Sequence, residues 1–199
     1  MSNLRREEAI ECLKKNLKPD DCLVATTGKT GRELFELRVK HEETPRDFLT
    51  VGGMGHGSSI ALGIALSTNK RIVCLDGDGA LIMHLGAMGI IGSLQVKNFI
   101  HVLLNNYCHE SVGGQATCSM HLDFARISRA CGYTGYYYAN TADGIIKAIQ
   151  SIERGTGPHF LEISLSPGSR PDLGRPTVSP YKNREQFMDY LQKYDLAAL

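Results

Sequence analysis

Residues 71–108 constrain this chain more than any other stretch. Arg71-Ile72-Val73-Cys74-Leu75-Asp76 is a short apolar run that closes in Gly77-Asp78-Gly79. Phe99-Ile100-His101-Val102-Leu103-Leu104 is a second such run, and it closes in Asn105-Asn106. The amphipathic stretch between them has room for one crossover helix, so the spacing predicts a parallel βαβ unit. Both strands of such a unit end at the same edge of the sheet, which brings the Asp78 carboxylate and the Asn106 carboxamide together. Open parallel sheets bind their ligands beyond that edge. The two side chains are hard oxygen donors of the kind Mg²⁺ takes alongside water and a phosphate. Gly79 and Ala80 open the helix, whose free N–H groups and positive dipole end favour an anion there. The unit can therefore hold a magnesium diphosphate. By itself Gly-Asp-Gly reads rather as the capped start of an ordinary helix, with Asn105-Asn106 a turn; the paired spacing with Asn-Asn reverses that preference.

The rest of the chain repeats the alternation. Residues 3–17 read as a helix with Glu7, Glu8 and Glu11 early and Lys14 and Lys15 late, an order that suits the helix dipole. Its charges read as a solvated face. Residues 21–25 form a buried strand ending in Thr26-Thr27-Gly28-Lys29-Thr30-Gly31. Gly28-Lys29-Thr30 has the end of a P-loop, but Leu23 stands where that motif needs its first glycine, which argues against nucleoside triphosphates. A short helix at 33–37, a polar connection at 40–47 and a strand at 48–51 lead into Gly52-Gly53-Met54-Gly55-His56-Gly57. Four glycines in six residues mark a tight turn or a close backbone approach. A small-residue helix at 60–67 follows, with Ala61, Gly63 and Ala65 allowing close packing on a sheet. Beyond the central unit, residues 109–121 read as a mobile polar loop. A helix at 123–131, a strand at 133–138, a helix capped by Thr141 and a strand at 158–164 complete the pattern. Residues 166–176 are an irregular basic loop, and a last helix lies at about 184–193. The expected fold is α/β: a mostly parallel sheet with helices on both faces, one domain over 1–199, with 166–199 as C-terminal loop and helix.

Composition excludes other classes. A net charge of +1 shows no basic surplus for nucleic acid or a membrane surface. The six cysteines are scattered without a Cys-x-x-Cys pair, which argues against zinc clusters and disulfide frameworks and for a reducing cytoplasm. The polar N-terminus is no signal peptide, and the apolar run at 60–66 is too short to span a bilayer.

The paired motif resembles the signature of the thiamine-diphosphate enzymes, Gly-Asp-Gly followed one crossover later by Asn-Asn. That resemblance implies a diphosphate-binding (PP-type) fold with thiamine diphosphate and Mg²⁺ as cofactors. It makes Asp78, Asn106 and the backbone carbonyl of Cys108 metal ligands, and Gly77, Gly79 and Ala80 diphosphate contacts. Thr27 and Gly28 are similar to a further diphosphate contact. Gly52-Gly53-Met54-Gly55 is similar to the segment that wedges an apolar side chain, here Met54, under the cofactor, with the Gly52 carbonyl receiving the aminopyrimidine amine.

Three further stretches narrow the likeness. Thr27-Gly28-Lys29-Thr30-Gly31-Arg32-Glu33-Leu34-Phe35, His109-Glu110-Ser111-Val112-Gly113-Gly114-Gln115 and the tail Gly168-Ser169-Arg170 through Arg175-Pro176 resemble the 3-phosphonopyruvate and 3-sulfopyruvate decarboxylases. The resemblance spans residues 20–190 and covers only the diphosphate-binding half of that machinery. It implies decarboxylation of a 2-oxo acid, 3-phosphonopyruvate to phosphonoacetaldehyde and CO₂, with sulfopyruvate as the alternative. His109, Ser111, Gln115, Arg170 and Arg175 become candidates for the substrate's second anion, and His109 a catalytic candidate. The glutamate that activates the cofactor lies, in that family, in a pyrimidine-binding domain, and nothing here is similar to one. The chain then resembles a β subunit or an excised half, inactive without its partner and oligomeric. Three other readings stand: a 2-oxoacid oxidoreductase β subunit, a non-catalytic cofactor-binding partner, and an α/β module without thiamine.

Overall fold

Strands and helices alternate in sequence. The computed structural model describes residues 4–195. Its strands are β1 (Cys22–Ala25), β2 (Asp47–Leu49), β3 (Ile72–Gly77), β4 (Phe99–Asn105), β5 (Cys108–His109), β6 (Gln115–Ala116), β7 (Gly135–Ala139) and β8 (His159–Ser164). Six of them form one parallel sheet in the order β2-β1-β3-β4-β8-β7, and β5 and β6 form a separate antiparallel hairpin. The helices are α1 (Arg6–Asn16), α2 (Lys29–Lys40), α3 (Gly57–Ser67), α4 (Asp78–Met83), α5 (Ala87–Leu94), α6 (Phe124–Ala130), α7 (Ala142–Ile152) and α8 (Pro180–Asp195).

The strands are apolar on both sides, and period-two alternation divides their side chains between two cores. Leu23, Val73, Leu75, Val102, Leu104 and Ile163 pack under α1, α2 and α7. Val24, Ile72, Cys74, Leu103 and Phe160 pack on the opposite face under α3, α5, α6 and α8. Each fully buried Leu, Ile or Phe contributes about 1.5–3 kcal/mol relative to exposure, which outweighs the weak helix-forming tendency of segments such as α3. The helix-on-both-faces, mostly parallel architecture expected from the sequence is present.

Several boundaries differ from the sequence reading. The β3–β4 crossover holds two helices, not one. Bonds from Ala87 N to His84 O and from Met88 N to Leu85 O turn the chain between α4 and α5, and Gly86 lowers the cost of leaving the helix. Residues 109–121, read as a mobile polar loop, contain most of a short hairpin and two 3₁₀ turns, at Glu110–Val112 and Cys118–His121. α2 starts at Lys29 because Gly28, with φ of 99°, makes the sharp turn out of β1. α8 starts at Pro180: Ser179 Oγ accepts the Lys182 N–H, and proline suits the first helical position. No helix of the described residues is long and apolar enough to cross a membrane.

Candidate cofactor site

β1 pairs with β2 on one side and β3 on the other, so the direction of winding reverses between β1 and β3. Their carboxyl ends diverge there into a crevice, the place where open α/β sheets take ligands. Thr26, Thr27, Lys29 and Thr30 line this cleft after β1, and Gly77, Asp78, Gly79 and Ala80 after β3. Asn106, Cys108, His109, Glu110 and Ser111 line it after β4, with Met54 and Arg6 at its margins.

Asp78 is 2% exposed and does not cap α4, which has no side-chain cap. Its carboxylate instead accepts the hydroxyls of Thr117 and Ser119, the latter at 3.1 Å, brought back by the β5–β6 hairpin. From below, the buried Asp76 accepts the Gly77 N–H at 3.1 Å and faces His101, whose other ring nitrogen meets Tyr133 Oη at 2.9 Å. The two asparagines divide. Asn105 turns into the sheet, donating to Glu162 at 2.9 Å and accepting the Tyr107 N–H. Asn106 turns to the cleft, where Oδ1 accepts the Cys108 N–H at 3.3 Å and Nδ2 donates to Glu110 at 2.9 Å. Tyr107, the residue after them, takes φ of 63°, a left-handed kink that leads the chain into β5.

Two glycines of this region are closely approached. A Cβ at Gly79 would overlap the His109 ring, and one at Gly55 would lie 2.9 Å from the Ala80 carbonyl oxygen. The Met54 segment thus rests on the start of α4. The residue that follows it, His56, packs against His84 with ring centroids 4.1 Å apart and the planes tilted by 35°. Gly52, by contrast, is exposed, and a Cβ there would meet nothing within 4 Å.

Glu110 is the hub of the cleft's charges. It accepts Arg6 Nη1 at 2.8 Å and Lys29 Nζ at 2.9 Å in addition to Asn106. Burial pushes its carboxyl up, but Lys29 and Arg6 outweigh this and hold it below the usual carboxylate range. Arg6 also pairs with both oxygens of Glu33, at 2.7 and 2.9 Å. Burial, then the Glu110 and Asp78 charges, push the Cys108 thiol up.

Of the residues singled out in the sequence, Thr27, Met54, Gly77, Asp78, Gly79, Ala80, Asn106, Cys108, His109 and Ser111 meet in the cleft, and Gly28 lies against Ser111. Gln115 is exposed on β6 and Arg175 is exposed. Arg170 is engaged by Glu7, Glu36 and Asp172 on the outer side of α1 and α2. Sequence reading missed Arg6, Lys29, Glu110, Thr117 and Ser119 as members of the site. The charges of α1 are not all solvated: Arg6 is 6% exposed.

The donor set suits a magnesium diphosphate. Asp78 and Asn106 present oxygen at one edge, and Thr26, whose buried Oγ1 has no hydrogen-bond partner, is among the residues that line the cleft. A parallel sheet with this crevice, a Gly-Asp-Gly turn and an Asn-Asn turn at one edge defines a diphosphate-binding α/β domain.

Comparison with known proteins identifies its family. Residues 27–163 match the thiamine pyrophosphate enzyme C-terminal TPP-binding domain, and the chain belongs to that family. It is 35% identical over 185 residues to phosphonopyruvate decarboxylase of Streptomyces hygroscopicus, covering 93% of this chain but 45% of that protein. It is 33% identical over 166 residues to sulfopyruvate decarboxylase subunit beta of Methanothermobacter thermautotrophicus, covering 83% of this chain and 84% of that one. Benzoylformate decarboxylase from Polynucleobacter necessarius shares the fold, with a TM-score of 0.70 at 19% identity over 84% of this chain and 34% of that one. The chain spans less than half the length of the phosphonopyruvate decarboxylase it matches.

Proposed function

We propose that the chain is the diphosphate- and magnesium-binding part of a thiamine-diphosphate-dependent 2-oxoacid decarboxylase, converting 3-phosphonopyruvate to phosphonoacetaldehyde and CO₂. The observation that carries this is the crevice between β1 and β3, where Asp78 and Asn106 line one cleft with Thr26, Thr27 and Gly79. Asp78, Asn106 and the Cys108 carbonyl hold Mg²⁺. Thr27, Gly28, Gly77, Gly79 and Ala80 hold the diphosphate. Met54 and the Gly52 carbonyl support the ring system. When bound, thiamine diphosphate supplies the electron sink that accepts the pair left as CO₂ departs. His109 and Ser111, which line the cleft, take the substrate's second anion in preference to Gln115, Arg170 and Arg175, which do not. His109 offers a ring nitrogen that can hold or donate a proton there.

A pyrimidine-binding chain or domain completes the site by supplying the activating glutamate, and the working form is a cytoplasmic oligomer. Sulfopyruvate is the second reading, favoured by one observation: the match covers 84% of a sulfopyruvate decarboxylase subunit beta. Thermal denaturation with thiamine diphosphate and Mg²⁺ tests the cofactor assignment, and Asp78→Ala should abolish the stabilisation. Assays of both substrates, with and without a pyrimidine-binding partner, test the rest. Turnover by this chain alone would overturn the partner requirement, and a higher kcat/KM for sulfopyruvate the substrate.

A further inference from the structure

A carboxamide can present either its oxygen or its NH₂ to a cation, and only the oxygen binds. The two ends are nearly equal in size, so shape does not choose between them; hydrogen-bond partners do. We propose that Glu110 is a positioning residue that makes this choice for Asn106. The inference rests on the reading of the cleft as a magnesium diphosphate site.

An ionised carboxylate only accepts hydrogen bonds. Glu110 Oε2, 2.9 Å from Asn106 Nδ2, therefore draws the NH₂ end to itself and leaves Oδ1 for the cleft. The other end agrees, because Oδ1 faces the Cys108 N–H, a donor, at 3.3 Å. Glu110 is itself clamped from two helices. Lys29 of α2 holds Oε1 at 2.9 Å, and Arg6 of α1, 104 residues away in sequence, holds Oε2 at 2.8 Å. Arg6 cannot swing away, because Glu33 engages it through both oxygens. The carboxylate is thus committed to three donors, which suits an outer partner of a metal ligand rather than a ligand. Residues of this kind orient the coordinating side chain, and their loss typically weakens metal binding about 10–100-fold.

The test uses the full chain, thiamine diphosphate, and Mn²⁺ in place of Mg²⁺, with free Mn²⁺ followed by electron paramagnetic resonance. Glu110→Gln keeps the size and removes the charge that selects the amide orientation. Its Mn²⁺ dissociation constant should rise about 10–100-fold, with the metal-free melting temperature close to that of the wild type. The side-chain NH₂ resonances of Asn106, assigned with Asn106→Asp, should move in Glu110→Gln even without metal. If Glu110→Gln does not fold, Glu110→Asp replaces it, since a carboxylate one methylene shorter should also lose the metal and shift those resonances. Unchanged Mn²⁺ affinity in the folded variant overturns the inference and leaves the cofactor reading intact. A loss that follows a fall in metal-free stability marks a merely structural carboxylate and overturns it too. No Mn²⁺ uptake by the wild-type chain overturns the cofactor reading and this inference with it.

Discussion

The His109 imidazole lies over Gly79, in the space that a Cβ at position 79 would fill. The first turn of α4 and the segment after the Asn-Asn turn therefore set each other's place in the cleft. Gly79→Ala should fold, because an imidazole can rotate away and alanine favours a helix by about 0.5–1 kcal/mol over glycine. The rotated ring would no longer line the cleft as it does, and cofactor-induced stabilisation should fall. His109→Ala in the same chain should remove the clash, so the two substitutions should be non-additive in a double-mutant cycle read by melting temperature with and without thiamine diphosphate and Mg²⁺.

Asp78 is a buried carboxylate that meets only hydroxyls among its hydrogen-bond partners. Keeping a charge in such a place is costly without a cation. Asp78→Asn retains an acceptor for Thr117 and Ser119 while removing the charge, so the metal-free chain should be as stable as the wild type or more so. Its stabilisation by the magnesium cofactor should vanish. A saturating ligand at one hundred times its Kd contributes about 2.7 kcal/mol, which calorimetry resolves readily.

Phe160 is fully buried, edge-on to His101 and Tyr133 and stacked with Phe124 and Tyr136. Phe160→Ala should cost about 3–5 kcal/mol, because a rigid sheet and ring cluster cannot collapse into the cavity. Urea denaturation should show a lower midpoint with an unchanged slope.

His159 is 4% exposed and its Nε2 has no partner. Burial, and then the Arg71 charge, hold it below its ordinary value of 6.5, with a backbone bond to Gly155 only partly opposing them. As pH falls, the unfolded chain takes up this proton first. The stabilisation is therefore complete above that ordinary value and is lost as pH falls from it through the folded-state value. His159→Gln should flatten the decline in melting temperature between about pH 7 and about pH 5 relative to the wild type.

Much of the site was legible in the sequence because its signals are local. Gly77-Asp78-Gly79 and Asn105-Asn106 end their strands where a short apolar run gives way to turn residues, and the alternation of elements implies that both ends share an edge. The β5–β6 hairpin was not legible: its strands are only two residues each, too short for any period to register. Thr117 and Ser119 reach Asp78 only through that hairpin. Arg6 was hidden differently. A helical wheel separates apolar from polar faces, but it cannot show that a polar residue at the helix start abuts a cleft built 104 residues later.

By itself, the amino-acid sequence determined the sheet's alternating elements and the chemistry at its strand ends, since periodicity, glycine and short polar side chains act within a few residues. Tertiary structure alone decided the rest. The reversal of winding between β1 and β3 depends on which crossovers cover both apolar faces of the sheet, a property of the whole chain. The orientation of Asn106 depends on Glu110, and the seat of Glu110 on Arg6 and Lys29. Those bonds exist only once α1 and α2 have packed on the sheet, because a carboxylate and a guanidinium distant in sequence meet only when burial of the apolar faces brings their helices together.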